Sequence, residues 1–188
     1  MAAKSCASIS LPLDDFVSKG GKVIAIGGAI TQFEDREGYH LTKFATEDEK
    51  TEAKKLQEEA ELSDRFLDYE GSERRSLSGY VPGAIVENVM DSTHPLTFGL
   101  GNNYFSLKTT ESNFKLLKGA QNVIYVPKKY QSFGFIGSKL KNHLEGTVSY
   151  AVDHVGGGKV IYMIDNPLFR GFWENGNLLF SNALFLVE

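Results

Sequence analysis

The sequence predicts an α/β domain built on a mixed, mostly parallel β-sheet that ends in an antiparallel hairpin. Three observations predict it. Lys22-Val23-Ile24-Ala25-Ile26 is a short, almost wholly apolar run closed by Gly27-Gly28, the pattern of a strand buried on both faces in a parallel sheet. The second half of the chain is dense in strand signals, two of which are joined by the glycine-rich loop Asp153 to Gly158. Helical segments stand before the first strand and after the last.

Residues 1–10 read as a disordered or tag-like start, and the domain as residues 11–188. Leu11 to Val17 reads as a short helix stopped by Gly20-Gly21. The apolar strand at 22–26 then needs neighbours, and no clear strand precedes it. Either they all come later, or the domain is truncated at its N-terminal side. In residues 47–75 more than half of the positions are charged. Thr46 followed by Glu49 forms a capping box, and Ala53, Leu56, Ala60 and Leu67 recur at roughly helical spacing. The segment from about 46 to 76 is therefore expected to be a charged helical excursion, either solvated on the body of the domain or holding a partner. Further strands are expected at Ala84–Val86 and Asn122–Val126. Thr147–Val152 alternates, which would put its larger side chains on one face. With Lys159–Ile164 it makes the hairpin. Gly137–Leu144 and Asn177–Val187 are expected to be helices.

With 188 residues, 41% hydrophobic and 23% charged, the chain has the composition of a globular domain with a real core. A net charge of −4 with scattered Lys and Arg gives no footprint for nucleic acid. No apolar run approaches the ~20 residues that span a bilayer, and the start has no apolar core of a signal peptide. The single cysteine, Cys6, excludes an internal disulfide and a cysteine-based zinc site.

Three places could carry chemistry. Gly27-Gly28 ends a strand where α/β sheets gather ligands, and could admit a phosphate or serve close backbone packing. An elbow nucleophile would fall near Gly28 or Ala29, neither of which is reactive. Among His40, His94, His143 and His154 there is no HxxE or HExxH spacing. His143-Leu144-Glu145 could be a base and its orienting carboxylate, or His143 could simply end its helix. His94-Pro95 reads as a turn. The third place is Asp165 to Trp173, where Asp165, Arg170 and Trp173 follow a strong strand. They could grip an anion or stack a ring. The alternative is that Phe169 and Trp173 fill the core and Arg170 pairs locally.

Leu13–Ile30, with Asp15-Phe16-Val17 and Gly20 to Gly27, resembles the helix-turn-strand of class I glutamine-amidotransferase-like domains. Further motifs follow in order: Pro82-Gly83-Ala84-Ile85, Asp91 to Leu96 with Phe98-Gly99, Gly156 to Ile161, and Pro167 to Gly171 with Asn182-Ala183. Together they resemble the amidotransferase-like C-terminal region of zinc-carboxypeptidase-family proteins from bacteria, especially Bacteroidetes. The resemblance implies a flavodoxin-like three-layer sandwich within an exported, periplasmic or extracellular parent. It implies a partner in the upstream peptidase domain of the same polypeptide, which would hold the zinc. No zinc ligand, cofactor or amidotransferase cysteine carries over to this chain. Arg170 and Asn182 match recurrent family positions.

The function expected on this basis is that of a non-catalytic accessory or binding domain. Alternatives are a hydrolase with an unrecognised site around Asp165 and Arg170, and a dimerisation scaffold using the charged segment.

Overall fold

The computed structural model describes residues 7–43, 73, 74, 77–171 and 173–188. The charged excursion at 46–76 thus lies almost wholly outside the described residues. Helix α1 (Ala7–Ser18) begins four residues before Leu11, inside the stretch expected to be disordered. Strand β1 (Lys22–Ile26) leads into a 3₁₀ turn at Gly27–Phe33. There follow β2 (Gly83–Met90), β3 (Asn103–Lys108), β4 (Phe114–Lys115), β5 (Gln121–Tyr125) and β6 (Ser132–Phe135). A short helix α2 (Ser138–Asn142), the hairpin β7 (Thr147–Val155) and β8 (Gly158–Met163), and helix α3 (Glu174–Phe185) complete the chain.

The described strands form one open sheet in the order β1-β8-β7-β5-β2-β3, with β4 beside β7 and β6 beside β2. The sheet is mixed, but it corrects the expectation of mostly parallel strands. Only β1 and β8 run parallel, Lys22 opposite Lys159 through Ile26 opposite Met163, and every other pairing is antiparallel. Parallel neighbours need a crossover of about a dozen residues or more, usually a helix. The link at 156–157 between the neighbours β7 and β8 is too short for that. Among the described residues the apolar strand β1 has a single neighbour, β8, which comes late in the chain.

The hairpin is where expected, turning at Gly156-Gly157 with Val155 opposite Gly158. Gly158 is required by close approach, because a Cβ there would lie 2.3 Å from the carbonyl oxygens of both Val17 and Gly21. The end of α1 consequently seats directly on the hairpin.

Both faces of the sheet are covered at its centre. On one face Val17 of α1, Ile30 and Phe33 of the 3₁₀ turn, Leu41 and Phe114 pack on Ala151, Val160 and Tyr162. On the other, Leu179, Ala183 and Val187 of the C-terminal segment and Leu96 pack on Tyr150, Val152, Ile161 and Met163. Burying one such side chain contributes about 1.5–3 kcal/mol, so these two clusters hold the layers together. β7 departs from simple alternation. Val148 joins the first cluster while Tyr150 and Val152 join the second, because the β5–β7 register shifts on both sides of Ile124. The Nζ of Lys22 caps the end of α3, donating to the carbonyls of Leu184 (2.8 Å) and Val187 (2.7 Å), where a cation favours the helix dipole. No helix among the described residues is long and apolar enough to cross a membrane.

Candidate functional site

The residues singled out from the sequence are dispersed. Gly27 has φ of 55°, which glycine adopts without strain. A Cβ on Gly27 or Gly28 would meet nothing within 4 Å, so close backbone packing is not their role. Asp165 is only 4% exposed, whereas Arg170 stands in solvent. The Arg170 guanidinium lies 5.3 Å from the ring centre of its neighbour Phe169. No ion pair joins it to a described carboxylate. Half-buried Trp173 donates its indole N–H to the carbonyl of Phe105 (2.9 Å), on the outer edge of β3. With Phe105, Glu174 and Asn175 it lines a shallow groove.

Asp165 belongs instead to a sealed polar network across β2, β3 and β7. Tyr104, Ser106 and Lys108 alternate onto the inner face of β3, as period-two geometry requires. Ser106 Oγ donates to Asp165 Oδ2 at 2.6 Å, and Lys108 Nζ reaches Oδ1 at 3.5 Å and the Ser112 carbonyl at 3.0 Å. Asn88 Nδ2 donates to Ser106 Oγ (3.1 Å), and Ser149 Oγ donates to Asn88 Oδ1 (2.6 Å). Each of these five residues is under 5% exposed. The Ser106 hydroxyl and its carboxylate partner are both buried, so no substrate reaches this hydroxyl. Burial pushes the Tyr104 hydroxyl up to about 12, and raises that of Tyr150, which crosses it edge-to-face.

A second buried carboxylate, Asp153, opens toward the surface. Its side chain is fully buried, and His40 lies against it with 41% of its own side chain exposed. The His40 backbone N–H donates to Asp153 Oδ2 (2.9 Å), and its Nδ1 is 2.6 Å from Oδ1. Tyr162 donates to Oδ2 at 3.2 Å. The Asp153 carboxylate thus holds His40 at two points, its backbone N–H and its ring Nδ1. Gly119 backs the ring: a Cβ there would lie 3.2 Å from both Cδ2 and Nε2. Tyr39 anchors the same loop through Asp14 Oδ1 (2.5 Å), beside the Arg36–Asp14 ion pair. Burial, then the Asp14 hydrogen bond, pushes the Tyr39 hydroxyl up to about 12.

This Asp–His pair has the two groups of an oriented base. No described hydroxyl or thiol is hydrogen-bonded to the His40 ring, so the nucleophile of a triad is not supplied. Sequence reasoning named His40 without a partner, because Asp153 lies 113 residues away. In the sequence Asp153 reads as the start of the glycine-rich loop, whereas it lies inside β7 and is fully buried, where a carboxylate needs a partner.

Of the remaining histidines, His154 is exposed on β7, and His94 and His143 serve turns. His94 Nδ1 accepts from the Leu96 N–H (3.0 Å), which caps the 3₁₀ turn as the Asp-Ser-Thr-His-Pro motif suggests. Asp91 accepts from the backbone and hydroxyl of Thr93, and these bonds hold its carboxyl below the usual range. His143 caps the end of α2. Among the described residues no three His, Cys, Asp or Glu side chains group as metal ligands. No family model matches the chain, and no curated protein or solved structure is significantly similar to it.

Proposed function

We propose that this chain is a non-catalytic accessory and binding domain of a zinc-carboxypeptidase-family polypeptide. The observation that carries this reading is what the motif residues do. Asn182 donates through Nδ2 to the carbonyls of Leu96 (3.0 Å) and Phe98 (2.8 Å), which ties the last motif directly to the Asp91–Gly99 motif. Asp165 is spent on Ser106 and Lys108. Asn182, which marks the resemblance, is thus consumed in holding a loop and Asp165 in the network behind β3, while Arg170 stands in solvent; the three are not gathered around a cleft. In this reading the zinc and the peptide chemistry belong to an upstream peptidase domain, and an exported parent places the domain in the periplasm or outside the cell. The finer flavodoxin-like arrangement belongs to the same proposal, the parallel β1–β8 pair being its support.

The test has two arms. In the source cells an antibody against this chain should detect a polypeptide far above 20.8 kDa. The purified chain should hydrolyse neither peptides nor glutamine amides. A native band at 20.8 kDa, or hydrolysis abolished by His40→Ala, overturns the proposal.

One observation favours a second reading, a hydrolase with a degenerate site: the oriented, half-exposed His40–Asp153 pair. It predicts turnover that follows the protonation of one histidine.

A further inference from the structure

The net charge of −4 conceals a segregation along the chain. Residues 112–144 hold six of the 20 Lys and Arg and none of the 24 Asp and Glu. The rest of the chain therefore carries 14 basic against 24 acidic residues, a net charge of −10. Folding brings three of the six lysines to one place. Lys128 and Lys129, in the loop between β5 and β6, and Lys141, in the last turn of α2, line one groove of about 560 Å³ with Tyr130, Asn142 and Glu145. The walls of this groove are held in position. At the root of the loop the Val126 N–H donates to the Thr147 carbonyl (2.9 Å), and the Gly146 N–H donates to the Val126 carbonyl (3.0 Å). At its far end the Gln131 N–H donates to Glu87 Oε2 (3.0 Å). Between them the Tyr130 hydroxyl donates to the Lys141 carbonyl (3.2 Å), which ties the loop to α2. Burial, then the Glu145 charge, raises this hydroxyl above its ordinary value, so it remains a donor.

The three lysines carry uncompensated charge. Other lysines of this chain are engaged: Lys19 faces Asp15, Lys43 faces Glu34, Lys108 faces Asp165, and Lys22 donates to carbonyls at the end of α3. Lys128, Lys129 and Lys141 are exposed and pair with no carboxylate among the described residues. Glu145 is the single acid of the lining, so the groove keeps a surplus of positive charge. A cleft lined by one sign of charge concentrates its counter-ion. Each ammonium offers three donors on a stem that turns freely. A carboxylate has two oxygens to offer them, whereas a phosphate brings three acceptor oxygens and up to about two charges, and can meet three such cations at once. The groove has the volume of a small-molecule site, roughly 300–1,000 Å³. A long polyanion would run from it onto an acidic chain and be repelled there, and a small anion would not.

We propose that this groove binds a small phosphate-bearing molecule, whose phosphate is held by the ammonium groups of Lys128, Lys129 and Lys141. The Asn142 amide supplies a further donor beside them, and Glu145 opposes the bound charge. None of Asp165, Arg170 and Trp173 lines this groove, and phosphate binding here does not depend on the parent polypeptide proposed above.

Calorimetric titration of the purified chain at low salt tests this, with pyrophosphate as the probe and citrate as a carboxylate ligand of comparable charge. Pyrophosphate should bind at one site per chain, more weakly as salt is added, and citrate should bind more weakly than pyrophosphate. Lys128→Ala, Lys129→Ala and Lys141→Ala should each weaken pyrophosphate binding about three- to five-fold, and the three together should abolish it. Lys118→Ala removes an exposed lysine of the same basic stretch that does not line the groove, and should change nothing. Glu145→Gln should tighten binding. All of these side chains are exposed, so the circular dichroism spectrum should stay the same; should the triple variant fail to fold, the single variants decide. Absence of pyrophosphate binding at millimolar concentration overturns the proposal. So does citrate binding as tightly, a loss in Lys118→Ala equal to that in Lys141→Ala, or binding to phosphatidic acid vesicles that free pyrophosphate fails to displace.

Discussion

Asp165 and Asp153 are both buried aspartates at the hairpin strands, yet their surroundings differ in kind. Asp165 faces a lysine as buried as itself, and its serine partner is tied on through Asn88 to Ser149. Asp153 faces a histidine that remains 41% exposed. Burial of both partners turns a charge pair into a structural lock. Burial of one alone leaves its partner with part of its ring in solvent. The first region explains why a conspicuous motif carries no chemistry, and the second is where chemistry is physically open.

The largest effect should come from breaking the sealed pair. Asp165→Ala leaves the Lys108 ammonium buried without its counter-charge, and should cost about 3–5 kcal/mol, read as a lowered midpoint in urea. The double variant Asp165→Leu with Lys108→Met should recover most of that loss. If the single change is tolerated, the network is not the lock described.

At the open pair, Asp153→Asn weakens the bonds to His40 and Tyr162 but leaves no buried cation behind. A loss of about 1–3 kcal/mol is expected. The His40 ring should also lose its fixed tautomer, visible in the ¹⁵N shifts of its two nitrogens. An unchanged Nδ1–H signal would show that Asp153 does not orient the ring.

Alkaline titration probes both regions together. Tyr39 and Tyr104 are pushed up to about 12, and burial raises Tyr150 and Tyr162 as well. The folded state thus disfavours tyrosinate. Its stability is fully present below the unfolded tyrosine value of about 10 and is lost as pH rises from there toward the folded values. Tyrosinate absorbance from these four should therefore grow in step with unfolding. Absorbance growing before any loss of circular dichroism would contradict their burial.

The smallest effect is expected at Arg170, which belongs to neither region. It holds φ of 53°, so Arg170→Gly should stabilise by about 1 kcal/mol or less. Loss of stability instead would mean that its side chain contributes more than the contact with Phe169.

The hairpin, the strand at 22–26, the His94-Pro95 turn and the C-terminal helix were legible because each rests on neighbouring residues: glycines or a proline at a turn, an apolar run. Strand direction was not. The run at 22–26 would look the same in the middle of a parallel sheet as at the open end of a mostly antiparallel one, since its composition reports burial and not the identity of its neighbours. The polar networks were hidden for the same reason. Ser106 and Lys108 carry no signal of their own, Asp165 groups in the sequence with Arg170 and Trp173 instead, and only the pairing of β3 with β2 and the path of the chain after β8 bring the three within hydrogen-bond reach. His40 and Asp153, 113 residues apart, are the clearest case. Local sequence determined the elements and the turn chemistry of this protein. Tertiary structure alone decided which strands run antiparallel, which aspartate is sealed and which is open, because those depend on contacts between residues that no local pattern links.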